Sequence, residues 1–250
     1  LEKAALAPED GNLDTGVFEP HAAAAAALAY TNAPTRFMFV FDMGAGTTDI
    51  AAFDFNEDAF PPTLEEITEA RQSCNLAGDE IDRIMVDLIM AKRGARNHEE
   101  DMRLKRTLKL HARAMKKVLF TEGKCTVKDG WKTTTIRVQD LTEDEQFRGF
   151  IAKLGERIGA SLERVAARAR GTATPMIDVV LAGGGSHLGF IPELVRSVGM
   201  TAAQGVPLRI GPLSPANVLY ANVDEYFVQV FPQIAMSVGG ALAELMPADA

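Results

Sequence analysis

Cysteine is scarce, since the 250 residues contain only Cys74 and Cys125. Two cysteines are too few for the disulfide framework of a small secreted domain, so the reducing cytoplasm is the expected setting. No run reaches the ~18 uninterrupted apolar residues that a membrane helix requires, and we expect no membrane contact. The alanine-rich run from His21 to Tyr30 follows Glu19 and Pro20 and lacks the basic start of a signal peptide.

Acidic residues outnumber basic ones, and the formal net charge is -8 at pH 7. This balance argues against nucleic acid as the main partner. Apolar residues make up 47% of the chain, enough for a sizeable core in one large domain or two smaller ones. No internal repeat and no linker divides the sequence. Because it begins with Leu1 rather than Met, we expect a processed product or an excised piece.

Apolar periodicity predicts an α/β core with a helical insertion and a hairpin inside it, at about 76–141. Residues 36–41 and 177–182 are nearly all apolar, which is typical of strands buried on both faces. Further strands are expected at 50–55, 64–74 and 206–210, and a hairpin at 124–128 and 133–138 around Asp129-Gly130. Helices are expected at 20–30, 79–93, 99–119, 142–170 behind a capping box that opens at Thr142, 187–198, and from Pro232 to about 245.

A first glycine-rich loop joins the strands at 36–41 and 50–55. It reads Asp42-Met43-Gly44-Ala45-Gly46-Thr47-Thr48 and is called the 42–48 loop below. It is not a P-loop, because no helix follows it and the Gly-Lys-Ser/Thr ending is absent. Glycine N–H groups in a turn can still cradle phosphate oxygens, and a carboxylate at a strand end can hold hydrated Mg²⁺. The alternative is an ordinary hairpin turn with a capping Asp42.

A second glycine-rich loop, Gly183-Gly184-Gly185-Ser186, separates the strand at 177–182 from the next helix. Its spacing differs from the Gly-x-Gly-x-x-Gly of dinucleotide-binding folds. The acidic residue that such folds place about 20 positions on is also absent, because nothing acidic lies between Glu193 and Asp224. The loop therefore predicts close backbone approach to a flat or sugar-like ligand, or simply a tight strand-to-helix turn.

The predicted helix at 99–119 is strongly basic within an acidic chain. No acidic residue occurs from Met102 to Thr121, and one face carries Lys105, Lys109, Arg113 and Lys117 at intervals of four. Like charges at this spacing destabilise a helix by roughly 0.2–0.5 kcal/mol per pair. The face is therefore either a contact for an anionic partner or a solvated surface whose charges suit the helix dipole.

Six segments, taken in order, resemble the actin-like ATPase superfamily, and most closely the nucleotide-binding domain of DnaK-type heat-shock chaperones of the seventy-kilodalton class. They are FEPHAAAAAALAY (18–30), FDMGAGTTD (41–49), LAGDEID (76–82), KKVLFT (116–121), DVVLAGGGSHLGFIPELV (178–195) and PQIAMSVGGA (232–241). No segment is specific alone, but the ordered series spans nearly the whole chain.

The resemblance implies the second lobe of a two-lobed chaperone ATPase. The expected fold is α/β, an actin-like (ribonuclease H-like) lobe with a mixed sheet flanked by helices and a small inserted α+β subdomain. Residues 1–75 and 142–250 would form the base subdomain, and residues 76–141 the inserted upper one. Nothing in the sequence matches the first lobe or the peptide-binding domain. We therefore expect the lobe to be inactive alone, with the first lobe, protein clients and cochaperones as partners.

The family's site residues carry over position by position. Glu19 and Asp42 would hold hydrated Mg²⁺, and together with Thr47 they would position the phosphates and the attacking water for ATP hydrolysis. The implied ATP or ADP contacts, first on the phosphates and then on the adenosine, are Gly44, Ala45, Gly46, Thr47, Gly78, Lys116, Lys117, Gly183, Gly184, Gly185, Ser186 and His187.

The departures from the family pattern fall mainly on the adenosine side. His187 stands where an arginine stacks on adenine, Arg113 replaces a glutamate, and Phe120 replaces a serine. On the phosphate side, Ala45 replaces the middle glycine of the loop. The resemblance therefore implies a phosphate side closer to the pattern than the adenosine side.

Two other functions stay open. A bacterial actin-like filament ATPase would share both glycine loops, although the helical insertion with its hairpin fits the chaperone branch better. A nucleotide sensor that binds without hydrolysing is suggested by Arg113, Phe120 and His187. A small-molecule kinase is disfavoured, since no sugar-binding residues are identified.

Overall fold

A computed structural model describes residues 19–30, 35–60, 62–94, 97–213 and 225–239. Within these ranges the strands are β1 (Phe37–Met43), β2 (Thr48–Asn56), β3 (Thr63–Glu66), β4 (Gln72–Cys74), β5 (Lys124–Asp129), β6 (Lys132–Arg137), β7 (Ile177–Ala182) and β8 (Leu208–Pro212). The main sheet has the order β3-β2-β1-β7-β8, with β4 also paired to β2, while β5 and β6 form a separate hairpin. Strand β1 runs antiparallel to β2 and parallel to β7, so the sheet is mixed, as expected.

Helices cover both faces of this sheet. They are α1 (Glu19–Tyr30), α2 (Gly78–Arg93), α3 (His98–Glu122), α4 (Val138–Glu143), α5 (Glu145–Ala169), α6 (Phe190–Ala202) and α7 (Glu225–Gly239), with 3₁₀ turns at Thr68–Ala70 and Gly184–His187. Helices α1 and α7 pack on one face, and α5 and α6 on the other. Among the described helices, none is both long enough and apolar enough to cross a bilayer.

Strand β1 is buried along its whole length because its side chains serve two cores. Phe37, Phe39 and Phe41 point toward α5 and α6, whereas Met38 and Val40 point toward α1 and α7. Strand β7 is also buried throughout. The prediction of two doubly buried strands is confirmed.

The alanines of α1 explain why that helix has no polar stripe. Residues 22–28 are all buried, so the helix is enclosed on every side rather than amphipathic. Gly239 of α7 lies against the backbone of Ala22, where a Cβ would not fit. Small side chains therefore allow α1 to pack tightly between the sheet and α7.

The segment between β4 and α5 contains two long helices and the hairpin. Helix α2 buries apolar residues at helical spacing, as the periodicity predicted, and packs against α3. The hairpin is confirmed, but its two loop residues are Gly130 and Trp131, because Asp129 pairs with Lys132. Gly130 has φ +60 at the first central position, as type II′ turns require.

Two local predictions are wrong. The expected strand at 64–74 is two strands, β3 and β4, separated by a 3₁₀ turn that buries Ile67 and Ala70. The capping box does not open at Thr142, which lies inside α4. Instead Asp144 caps α5, and its carboxylate accepts hydrogen bonds from the Gln146 and Phe147 N–H groups at 2.9 and 3.1 Å.

Other element boundaries also differ from expectation. Pro232 does not start the last helix but lies inside α7, which begins at Glu225. Val138 opens α4 instead of ending β6, and β8 begins at Leu208 instead of Val206. The expected helix stop at Asn32 to Pro34 and the end of the last helix near 245 lie outside the described residues.

Candidate functional site

The two glycine-rich loops meet at one edge of the main sheet. Strands β1 and β7 are parallel neighbours, and Asp42 near the end of β1 pairs with Ala182 at the end of β7. The 42–48 loop and the 183–187 loop therefore leave the sheet side by side. Ligands of open α/β sheets bind outside the carboxyl ends of the strands, which makes this edge the candidate site.

Close packing between the two loops requires glycine at two positions. Gly183 has φ +71, and a Cβ there would meet the Asp42 carboxylate and lie 2.5 Å from the Met43 carbonyl oxygen. A Cβ at Gly185 would collide with the Met43 side chain. The sequence predicted glycines for approach to a ligand, and the structure shows that these two also allow one loop to rest on the other.

The remaining residues of the second loop face outward. Gly184 is exposed, with no atom within 4 Å of a Cβ placed there. The Ser186 hydroxyl donates to the Gly183 carbonyl oxygen at 2.7 Å, which closes the turn. His187 is exposed, and its Nε2 lies 3.3 Å from Nε2 of Gln233 on α7. Gln233 was not predicted as a site residue, although it stands in the quoted segment at 232–241.

Asp42 is the buried charge of the site. The residue is only 5% exposed, and burial, with smaller effects from Glu19 and Asp49, raises the pKa of its carboxyl to about 6. No residue of the described ranges forms an ion pair or hydrogen bond with the Asp42 carboxylate. A buried carboxylate without a compensating cation is costly, and a bound cation or proton would remove that cost.

The donor set fits a hydrated cation. Among the described residues there is no group of three or more His, Cys, Asp or Glu side chains that could hold a metal. Asp42 is joined by Glu19, exposed in the first turn of α1 and close enough to raise the pKa of Asp42. Mg²⁺ usually keeps several waters and takes one or two carboxylates, which matches this pair.

The 42–48 loop presents backbone to the outside. Residues 44–47 are exposed, and the Gly44 N–H donates to the Thr47 carbonyl oxygen at 2.9 Å, which makes a tight turn. Gly46 has no atom within 4 Å of a Cβ position, so its backbone is open to a ligand. Thr48 is buried, and its hydroxyl donates to the Leu76 carbonyl oxygen at 2.7 Å. The loop is thus anchored at its base and open at its tip.

The N-terminus of α2 docks against this loop. The Gly78 N–H donates to the Gly44 carbonyl oxygen at 3.2 Å, and the Asp79 N–H donates to the Ala45 carbonyl oxygen at 2.7 Å. A Cβ at Gly78 would lie 3.1 Å from the Gly44 carbonyl oxygen, so glycine permits this contact. The positive end of the α2 dipole therefore faces the loop, an arrangement that favours negative charge nearby.

Lys116 of α3 contacts two residues of α2 next to the 42–48 loop. Its Nζ donates to the Gly78 carbonyl oxygen at 2.7 Å and lies 3.0 Å from Asp82 Oδ1. Burial raises the pKa of Asp82, and Lys116 partly offsets this effect. Asp82 was not predicted as a site residue, although it lies one helical turn beyond Gly78. Lys117 is exposed, and no contact ties it to either glycine loop.

Phe120 belongs to an aromatic cluster beside the second loop. Its ring centroid lies 5.6 Å from that of Phe190 at the start of α6, and Phe190 in turn lies 5.4 Å from Phe147 of α5. The contact joins the end of α3 to the helix that follows the 183–187 loop. Arg113, one turn before Lys116, is exposed. The adenosine-side positions that depart from the family pattern are therefore one packed ring, Phe120, and two exposed side chains, Arg113 and His187.

A mixed sheet flanked by helices, with two glycine-rich loops at the ends of adjacent strands, agrees with the actin-like ATPase fold expected from the sequence. The family model described as "Hsp70 protein" matches residues 17–206. The chain therefore belongs to the Hsp70 family. This membership favours the chaperone branch over the actin-like filament alternative.

Curated relatives agree with this assignment. The chain is 26% identical over 226 residues to "Chaperone protein HscA homolog" of Shewanella oneidensis, which covers 86% of this chain and 34% of that relative. It is 26% identical over 224 residues to "Chaperone protein HscA" of Cronobacter sakazakii, with the same coverage of both chains. It is 25% identical over 247 residues to "Chaperone protein DnaK 1" of Synechococcus sp., covering 89% of this chain and 31% of the relative. The chain thus spans about a third of the length of these relatives.

Proposed function

We propose that this chain is the second nucleotide-binding lobe of an Hsp70-type chaperone ATPase and that it binds ATP or ADP with Mg²⁺. The observation that carries the proposal is the buried Asp42 carboxylate, which has no cation among the described residues and lies against Gly183 of the second glycine-rich loop. Residues 1–75 and 142–250 form the base subdomain of this proposed lobe, and residues 76–141 form the inserted one.

In this proposal the phosphates lie on the 42–48 loop. Backbone N–H groups at 45–47 and the Thr47 hydroxyl donate to phosphate oxygens, while the Gly44 N–H holds the turn closed. The positive end of α2 adds favourable charge. Asp42 and Glu19 hold the hydrated ion. Bound Mg²⁺ would neutralise part of the negative charge of the phosphates. Asp42 and Glu19 also orient water, because positioning and electrostatics account for most of phosphoryl-transfer catalysis.

The adenosine lies on the 183–187 loop. Gly184 offers an open backbone surface, and His187 is exposed where a planar ring can stack on it. Lys116 and Lys117 approach from α3. The Lys116 Nζ contacts the Gly78 carbonyl oxygen and Asp82 Oδ1 in the structure. To contact the adenosine, the Lys116 side chain has to give up its contact with Asp82 or extend beyond Gly78.

Hydrolysis requires closure against a first lobe, which supplies the other half of the phosphate clamp. The lobe alone therefore binds nucleotide but does not turn it over. The working partners are that lobe, protein clients and cochaperones, as the chaperone names of the relatives suggest. The proposed setting is the cytoplasm.

ATP turnover separates binding from catalysis. We expect the 250-residue chain to bind Mg·ADP in calorimetry yet release no phosphate from ATP. The same chain joined to a first lobe should hydrolyse ATP. Hydrolysis by the chain alone at the rate of the two-lobed protein would overturn the two-lobe proposal.

A second candidate is a nucleotide sensor that binds without hydrolysing, which the departures at Arg113, Phe120 and His187 suggest. Of these, Phe120 packs against Phe190 beside the 183–187 loop, with ring centroids 5.6 Å apart. If the departures abolish turnover, the chain joined to a first lobe should bind Mg·ADP in calorimetry yet release no phosphate from ATP. Tight ADP binding with ordinary turnover would remove this candidate.

A further inference from the structure

A groove of about 650 Å³ runs between α3 and β5 and includes no residue of either glycine loop. Its α3 side contributes Leu104, Leu108 and Met115, of which the first two are buried in the core. Val127 of β5 adds a half-buried apolar side chain. The groove thus has an apolar floor between a helix and a strand.

The strand side of the groove is an unpaired edge. Five consecutive residues, 126–130, line it, whereas no residue of β6 does. Side chains from both faces of β5 therefore line the groove. This happens when a groove is bordered by the edge of a strand and not by one of its faces. Among the described residues β5 pairs only with β6, so its other edge has no strand beside it.

Backbone groups of this edge point into the groove. Asp129 and Lys132 close a two-residue hairpin loop and therefore exchange hydrogen bonds with each other. Antiparallel pairs alternate between bonded and non-bonded types, so the N–H and C=O groups of Thr126 and Lys128 point away from β6. These are the groups that another extended chain would pair with.

The charge available in the groove is positive. Asp129 Oδ2 lies 3.5 Å from Nη2 of Arg93, and Glu100 also has a partner within the structure. Arg103 and Lys128 are exposed and form no ion pair with any residue in the described ranges. The occupant that suits the groove carries negative charge.

We propose that an extended acidic segment of a partner protein binds this groove by adding a strand to the free edge of β5. Backbone pairing with Thr126 and Lys128 supplies the main contact, alternate apolar side chains enter the floor, and carboxylates meet Arg103 and Lys128. An edge strand beside a helix is a recurrent peptide-recognition geometry. A helical partner would leave the edge unpaired, so the extended form is the one that fits.

A synthetic peptide of about eight alternating Asp and Val residues is the probe, since that length spans a typical strand. Titrated into ¹⁵N-labelled full chain, it should shift the amides of Thr126 and Lys128. A Lys-Val peptide of equal length should bind at least about tenfold more weakly, because its charge is reversed. The Asp-Val peptide with alternate backbone nitrogens methylated to block pairing should not bind.

Matched charge reversals locate the contact. The double variant Arg103→Glu, Lys128→Glu should weaken the Asp-Val peptide at least about tenfold. Lys109→Glu makes the same kind of change on an exposed part of α3 outside the groove lining, and it should stay within about twofold. Equal losses in both proteins, binding that survives N-methylation, or shifts confined to other surfaces would overturn the proposal.

A second copy of the chain is the rival occupant. Sedimentation equilibrium of the chain without peptide should show a monomer across the concentrations used for the titration. A dimer that Thr126→Pro abolishes would mean that two β5 edges pair with each other, and the partner proposal would be wrong.

Discussion

Neutralising Asp42 should stabilise the protein while destroying its proposed metal-dependent function. Burial, reinforced by Glu19, raises the pKa of the Asp42 carboxyl from the ordinary 3.8 to about 6. An ionised Asp42 therefore opposes folding at neutral pH. Asp42→Asn keeps the shape of the side chain and removes the charge.

The size of the expected stabilisation follows from the difference between the native and the ordinary pKa of the Asp42 carboxyl. At 1.36 kcal/mol per pH unit, the difference corresponds to about 3 kcal/mol. Because the native pKa is raised, the native state holds its proton longer than the unfolded state. The Asp42 contribution to the free energy of unfolding thus falls as pH rises from 3.8 through about 6 and stays low above that. Asp42→Asn should gain up to about 3 kcal/mol at pH 8 and almost nothing at pH 4.

Urea denaturation at pH 4, 6 and 8 measures this gain. For a chain of this size the gain at pH 8 corresponds to a rise in Tm of about 6–12 °C. Asp58→Asn changes an exposed aspartate and should stay within about 0.5 kcal/mol at each pH. Mg·ADP should raise the Tm of the wild type but not of Asp42→Asn. A loss of stability in Asp42→Asn, or a gain independent of pH, would refute the burial argument.

Two further stability predictions test the packing around the site by urea denaturation. Gly183→Ala should lower the free energy of unfolding by about 2 kcal/mol or more, because φ is +71 and the Cβ has no room; Gly184→Ala, in open space, should stay within about 0.5 kcal/mol. Lys116→Met should lose about 1–3 kcal/mol because it leaves Asp82 without its cation, whereas Lys117→Met should change stability by less than about 0.5 kcal/mol. Equal effects within either pair would contradict the described contacts.

Periodicity predicted the parts of the fold that depend on one segment alone. Strands β1 and β7 are apolar at nearly every position, and only burial on both faces explains that pattern. Helix α2 follows from apolar spacing with Gly94 beyond its last turn. The mixed sheet itself was expected only through the family resemblance, because periodicity does not reveal which strands are neighbours.

Errors arose where nearby residues offer similar signals. Thr142 and Asp144 are both good helix caps two positions apart, and the geometry of α4 decides between them. Pro232 predicted a helix start, but it lies inside α7. Its carbonyl oxygen accepts a hydrogen bond from the Gly183 N–H at 2.9 Å, a long-range contact that leaves no trace in the neighbouring sequence.

The residues of the candidate site also fall into two groups, those that the sequence indicates and those that only the fold brings together. The glycines and Asp42 stand out in sequence because turns and strand ends need such residues. The pair formed by Lys116 and Asp82, and the ring contact of Phe120, join residues far apart in the chain. They emerge only once α3 is placed beside α2 and α6.

The central claim is that the two glycine loops and Asp42 form one nucleotide site. NMR titration of the ¹⁵N-glycine-labelled chain with Mg·ADP tests it most directly. The account predicts that amides of Gly44, Gly46 and Gly184 shift together with a single dissociation constant, and that removal of Mg²⁺ or Asp42→Asn weakens the binding. Shifts absent up to about 10 mM, or confined to distant glycines such as Gly149, would contradict it.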